Sequence, residues 1–179
     1  MIERVLNSRK VYDGKLVKVR ADEVVLPNGR TTTREVVEHP GAVAILPLLE
    51  GGRVVMIRQY RHPAGKVLLE VPAGTLRLGE RPEECAGREL VEETGFRAGR
   101  LVKMFQCYLA AGYSSELIHV YLATELSKAV GNPDSDEFIQ VQILDMAEVL
   151  RMIGRGEIED AKAIAAILYA QQLPRSSVK

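Results

Sequence analysis

The chain has 179 residues, with 24 lysines and arginines against 24 aspartates and glutamates, and 46% of it is hydrophobic. That is the length of one domain, with enough apolar side chain to bury roughly 70% of the unfolded surface without metal or disulfide staples, so disorder is disfavoured. Zero net charge weakens any reading as a general nucleic-acid or membrane-surface binder, which would show a basic excess. Cys85 and Cys107 lie far apart with no CxxC and no nearby histidine cluster, so reduced core thiols are expected rather than a zinc site or a disulfide framework. No segment approaches the roughly 20 apolar residues of a membrane span, and Met1-Ile2-Glu3-Arg4 opens no continuous apolar stretch of leader length. A soluble, cytoplasmic protein is expected.

The first forty residues alternate in the strand manner: Leu16, Lys18 and Arg20 interleave with Val17 and Val19, and Val24-Val25-Leu26 runs into Pro27-Asn28-Gly29-Arg30. Asn-Gly accepts positive φ readily and predicts a hairpin turn, with Thr31-Thr32-Thr33 and Val36-Val37 as the return strand. A second pair follows, Ala42–Leu46 and Val54–Ile57, flanking Glu50-Gly51-Gly52-Arg53; the unbroken apolar runs predict strands buried on both faces. Pro82 in a first turn, Glu83 and Glu84 at its positive end, and Gly95 at a left-handed cap predict a helix over 82–94. Strands are predicted at 101–108, 117–123 and 139–144, an acidic Pro-containing loop at 131–137, a helix opened by Asp145, and a last helix from about 160 to 172 stopped by Pro174.

Within the 82–94 helix, Glu89, Glu92 and Glu93 stand at i, i+3 and i+4, spacings that place the three carboxylates in one patch. Arg88 can pair with Glu84 or Glu92, but one arginine does not neutralise the cluster, and like charges at this spacing oppose the helix. The patch is either a solvated acidic face or a site for a hard divalent cation, which prefers carboxylate and carbonyl oxygens and would relieve the repulsion.

The preceding loop decides between them. Glu70-Val71-Pro72-Ala73-Gly74 follows an apolar strand, and residues 74–96 read GTLRLGERPEECAGRELVEETGF. Every specified position of G-x5-E-x7-R-E-U-x-E-E-x-G-U is filled, by Gly74, Glu80, Arg88, Glu89, Leu90, Glu92, Glu93, Gly95 and Phe96. The chain therefore resembles the Nudix hydrolases, which split nucleoside diphosphates linked to another group with Mg²⁺ or Mn²⁺. The resemblance implies an α/β/α sandwich with a mixed sheet. It also implies that Glu89, Glu93 and the Ala73 carbonyl hold metal, with Glu92 a further ligand or a water-orienting group. Arg88 would then brace the carboxylates and Glu80 tie the loop to the helix, while Gly74 and Gly95 serve structurally. Paired metals would activate water and neutralise diphosphate charge.

Outside the box, Arg34-Glu35-Val36-Val37-Glu38-His39-Pro40-Gly41, Arg58-Gln59-Tyr60-Arg61, Gly112-Tyr113-Ser114-Ser115-Glu116 and Asp160-Ala161-Lys162 resemble the ADP-ribose pyrophosphatase branch. Between 51 and 69 the charged residues are Arg53, Arg58, Arg61 and Lys66 with no acid, against six acids and three bases in the box, a cationic clamp beside an anionic cage. Arg58 and then Arg34 are the candidates for the diphosphate, against the alternative of exposed strand charges. Glu70 either accepts hydrogen bonds from ribose or from a water at the metal, or is an ordinary strand-end carboxylate. Leu76, Gly112 and Glu116 complete the implied substrate-binding set. His39, His62 and His119 fit packing or surface roles, and Tyr12 and Tyr60 either stack on adenine or serve the core.

Glu137, in the acidic loop, is the implied general base, with Glu92 as its rival; such a base contributes about 10²–10⁴-fold. Two residues depart from the branch pattern: Ala111 stands where proline is usual and Ser115 where aspartate is common. Tyr113 keeps diadenosine polyphosphates open as substrates. The implied activity is hydrolysis of ADP-ribose to AMP and ribose 5-phosphate, with other nucleoside diphosphate derivatives (ADP- or GDP-sugars, NADH) as alternatives. The intact Glu89, Glu92 and Glu93 argue against a module that only senses nucleotides. A small β segment over 1–39 is expected to dimerise by packing on a second subunit, with residues 40–179 as the hydrolase domain, because so few strands do not bury two faces alone.

Overall fold

A computed structural model describes residues 1–131 and 138–173. Proximity along the backbone divides it into two compact units, Met1–Gly41 with Cys107–Ile118, and Ala42–Gln106 with His119–Lys179. The division expected after residue 39 does not anticipate that 107–118 joins the first unit.

In the first unit β1 (Arg4–Asp13), β2 (Lys18–Val25) and β3 (Thr31–Glu38) form an antiparallel sheet in the order β1-β2-β3. The turn between β2 and β3 is the one its Asn-Gly predicts. Gly29 takes φ 82°, the Asn28 side chain accepts from the Arg30 N–H at 3.1 Å, and Val25 pairs with Thr31. Residues 16 and 17 precede β2 rather than open it, and every residue of β1 is exposed.

The remaining strands are β4 (Ala42–Leu49), β5 (Arg53–Arg61), β6 (Lys66–Glu70), β7 (Ala73–Thr75), β8 (Phe96–Tyr108), β9 (Leu117–Lys128) and β10 (Ile139–Asp145). Their sheet runs β10-β5-β4-β9-β8, with β6 on β5 and β7 on β4. Helix α1 spans Pro82–Thr94, α2 Met146–Gly154 and α3 Ala161–Ala170. Val43 and Ile45 of β4 join Cys85, Ala86 and Leu90 of α1 and Tyr121 and Ala123 of β9 in one buried cluster. Side chains alternate along a strand, so Ala44 and Leu46 point to the other face, and they too are buried; α3 packs on the same strand, with its Ala163, Ala166 and Ile167 buried. Helices on both faces of a mixed sheet are the expected sandwich, and the apolar runs of β4 and β5 are its two-sided core.

The helix α1 begins and ends where its sequence predicts. Pro82 is its first residue, the Glu84 carboxylate accepts from the Arg81 N–H at 3.3 Å, and Gly95 at φ 67° closes it by donating to the Val91 carbonyl. Strand β8 starts at Phe96, five residues before the predicted 101, because the Gly95 cap turns the chain straight into the sheet. Among the described residues no helix is long and apolar enough to cross a membrane.

Candidate functional site

Arg88 makes most of the contacts to the acidic face of α1, and Arg77 adds a longer one to Glu92 at 3.9 Å. Arg88 donates from Nε and Nη2 to Glu80 at 2.8 and 3.0 Å, a bidentate fork that ties the loop to the helix. Its Nη1 donates to Glu89 at 2.6 Å and to Glu92 at 2.8 Å. Led by the Glu80 hydrogen bonds, these carboxylates raise the guanidinium above its ordinary value. In return Arg88, helped by the Arg77 N–H, holds the Glu80 carboxyl down at about 2. Cys85 lies beneath; burial pushes its thiol up to about 12, and no disulfide forms at either cysteine.

The carboxylates one turn apart meet consecutive residues of the loop. Glu93, 5% exposed, accepts at Oε2 from the Ala73 N–H at 2.9 Å. A Cβ on Gly74 would stand 2.0 Å from both Cδ and Oε1 of Glu89, so the bare backbone of Gly74 is a cradle for that carboxylate. The Pro72 carbonyl accepts from Ile45 N–H at 2.8 Å, fixing the loop to β4. Among the described residues no three acids, histidines or cysteines form a ready cation cage, since Arg88 and the loop backbone already engage the carboxylates. The donor chemistry nevertheless fits a hard divalent ion: three carboxylates on one helical face beside a loop whose backbone approaches them closely.

Glu70, 1% exposed at the end of β6, is not an ordinary strand-end carboxylate. Arg61 donates to it bidentately at 2.8 and 2.9 Å, and the Lys162 ammonium is its second partner. Burial alone would raise this carboxyl, but the Arg61 hydrogen bonds and the Lys162 charge outweigh it, so it titrates below its ordinary value. Arg61 in turn is raised, mainly by its hydrogen bonds to Glu70 and also by the charge of Glu93. The linkage of Arg61 and Lys162 to Glu70 is absent from the sequence reading, because 92 residues separate Lys162 from Glu70. The only trace is the Asp160-Ala161-Lys162 pattern.

Arg58 is half-buried on β5, opposite Leu69 on one side and Gln140 on the other, and no described carboxylate pairs with it. Tyr60 shares its face of the strand and is exposed. Leu76 is half-buried and packs against the α1 core cluster.

Arg34, Gly112 and Glu116 belong to the first unit. Arg34 is engaged, donating to Glu3 at 2.6 and 3.1 Å. The 112–116 loop pairs with the end of β3: Val37 N–H donates to Tyr113 at 2.8 Å, and Ser115 N–H donates back to Val37 at 3.0 Å. His39 accepts from Gly41 N–H at Nδ1, so its other nitrogen carries the proton in the neutral ring and faces Glu116 at 3.8 Å. Tyr12 lies exposed on β1. Glu137 lies outside the described residues.

A NUDIX domain model matches residues 38–167, and a model of the nucleoside diphosphate sugar hydrolase N-terminal domain matches 3–37. An ADP-ribose pyrophosphatase of Bacillus subtilis (strain 168) is 39% identical over 171 residues, 94% of this chain and 92% of its own length. A Bacillus methanolicus protein named methanol dehydrogenase activator is also 39% identical, with the same coverage. A crystal structure of an ADP compounds hydrolase superposes with a TM-score of 0.87 at 22% identity, covering 99% of this chain and 96% of that one, a likeness of fold.

Proposed function

The chain belongs to the Nudix hydrolase family, and from that premise we propose that it hydrolyses the diphosphate bond of ADP-ribose, releasing AMP and ribose 5-phosphate. The observation that carries this reading is the meeting of Glu93 with the Ala73 N–H and of Glu89 with Gly74, which sets two carboxylates one helical turn apart against adjacent backbone units. The Glu89, Glu92 and Glu93 carboxylates with the Ala73 carbonyl would hold Mg²⁺, or Mn²⁺ in its place. The chemistry such an ion supplies is charge neutralisation on the diphosphate and a lowered pKa for water.

The chain's own residues do the rest. Arg58 takes diphosphate oxygens, and Arg34, once released from Glu3, is the second donor. Glu70 holds Arg61 beside the carboxylates, Leu76 backs the loop, and Gly112 and Glu116 contact the sugar. Glu137 accepts the proton of the attacking water as its oxygen bonds to phosphorus and the bridging P–O bond breaks; Glu92 orients that water. Two unpaired cysteines fit the reducing cytoplasm where nucleotide sugars are found. The exposed Val5, Leu6, Val11 and Tyr12 of β1 support a homodimer through the N-terminal sheet, to be read as twice the chain mass by light scattering at micromolar concentration.

The test is a panel of ADP-ribose, ADP- and GDP-sugars, NADH and diadenosine polyphosphates incubated with Mg²⁺, Mn²⁺ or EDTA, with products separated by chromatography. AMP and ribose 5-phosphate from ADP-ribose, abolished by EDTA, are expected. No cleavage of any diphosphate with either metal would sink the proposal.

A further inference from the structure

Lys162 is placed against the preferences of its own helix. It stands in the first turn of α3, where the N-terminal end of the macrodipole disfavours a cation, and its side chain is only 11% exposed. Burying a charge there is unfavourable unless the geometry around it is fully satisfied, and a buried ion pair is weak evidence of a purely stabilising role.

The surroundings show what satisfies it. Asp160 caps the helix by accepting the Ala163 N–H at Oδ2, 2.9 Å, and accepts the Lys162 ammonium at Oδ1, 2.8 Å. The second partner of the ammonium is Glu70, whose two oxygens also take the Arg61 fork. Two residues beyond Glu70 the Pro72 carbonyl is bonded to β4; the next two, Ala73 and Gly74, receive Glu93 and Glu89. The five residues from Glu70 to Gly74 are therefore held at one end by Lys162 and Arg61 and meet the acidic face of α1 at the other.

We propose that Lys162 is a positioning residue for the cation site: by fixing Glu70 it sets the register of Ala73 and Gly74 against Glu93 and Glu89, and so the affinity for a divalent ion. This rests on the metal-binding part of the function proposed above. Partners that orient metal ligands without touching the metal typically carry roughly 10–100-fold in affinity.

The experiment measures Mn²⁺ affinity of the whole protein by electron paramagnetic resonance, without substrate, alongside Tm. The variants are Lys162→Met, Glu70→Gln, the double variant, and Ile167→Val, a buried change elsewhere on α3. Expected is a dissociation constant raised roughly 10–100-fold by Lys162→Met. The double variant should bind no more weakly than the weaker single one, because Lys162 acts through Glu70. Ile167→Val should lower Tm with Mn²⁺ affinity unchanged. Unaltered affinity in Lys162→Met, additive losses in the double variant, or an affinity loss in Ile167→Val matching its fall in Tm would each overturn the proposal. Wild-type protein that binds no Mn²⁺ would remove this proposal and the metal reading together. Tight Mn²⁺ binding weakened by Lys162→Met, with no diphosphate cleaved, would leave the positioning role standing while the proposed activity fell.

Discussion

Gly74 and Glu89 touch so closely that a methyl group on the glycine would lie 2.0 Å from the glutamate's carboxyl carbon. A glycine is required here for close approach rather than for an unusual backbone angle, since its φ is not among the positive ones. The obstructing atoms are the far end of a flexible side chain, so Gly74→Ala is expected to fold, at a stability cost within the about 1–3 kcal/mol of an overpacked site. The cation site is affected as well, because Glu89 must swing away. Mn²⁺ affinity is expected to fall roughly 10–100-fold while circular dichroism stays that of wild type. Wild-type affinity in this variant would mean that Glu89 does not use the cradle.

Much of this was legible because the box compresses a three-dimensional site into 23 residues. A turn of helix places Glu89 and Glu93 together whatever surrounds them, and Pro82, Glu84 and Gly95 mark the helix ends locally. What was not legible depends on long closures. Nothing near Glu70 in sequence announces Lys162, and nothing near Arg34 announces Glu3, 31 residues away. Helix spacing alone offers Arg88 only Glu84 or Glu92 as partners, whereas a planar guanidinium presents donors in several directions and reaches Glu80, Glu89 and Glu92 at once.

The fork from Arg88 to Glu80 predicts how acid weakens the fold. Glu80 titrates at about 2 instead of its ordinary 4.5, so its contribution is fully present above about pH 4.5 and is lost as pH falls toward 2. Hydrogen bonds to charged groups contribute about 1.5–3 kcal/mol. At about 2–4 °C per kcal/mol for a domain of this size, Glu80→Gln is expected to lower Tm by about 3–12 °C at pH 7. The gap from wild type should narrow below pH 4.5 and close near pH 2, read by thermal melts at half-unit steps. A constant gap over that range would show that the ionised carboxylate is not what Arg88 holds.

Arg58 and Arg34 should separate kinetically. Arg34 begins in a bidentate pair with Glu3, whereas Arg58 has no described carboxylate to leave. A charge-assisted bond of about 1.5–3 kcal/mol is a factor of roughly 10–150 in affinity, so Arg58→Gln is expected to raise KM for ADP-ribose by that factor with Tm nearly unchanged. Arg34→Gln should raise KM less, since its binding energy is offset by breaking the Glu3 pair. An unchanged KM in Arg58→Gln would remove that residue from the diphosphate clamp.

The assignment of the base turns on two glutamates of different standing. Glu92 already shares the Arg88 guanidinium with Glu89, at 2.8 Å, so its carboxylate is committed to the acidic face of α1, and its loss should act first on the cation. Glu137 carries no such commitment in the proposed mechanism and acts on the proton alone. With Mg²⁺ saturating, Glu137→Gln is therefore expected to lower kcat by about 10²–10⁴ with little change in KM. Glu92→Gln should need more Mg²⁺ to reach saturation and then recover most of its turnover. Titrating Mg²⁺ at fixed ADP-ribose in both variants distinguishes the roles. Near-normal kcat in Glu137→Gln, joined to a loss in Glu92→Gln that no Mg²⁺ concentration repairs, would move the base to Glu92 and leave Glu137 without a chemical part.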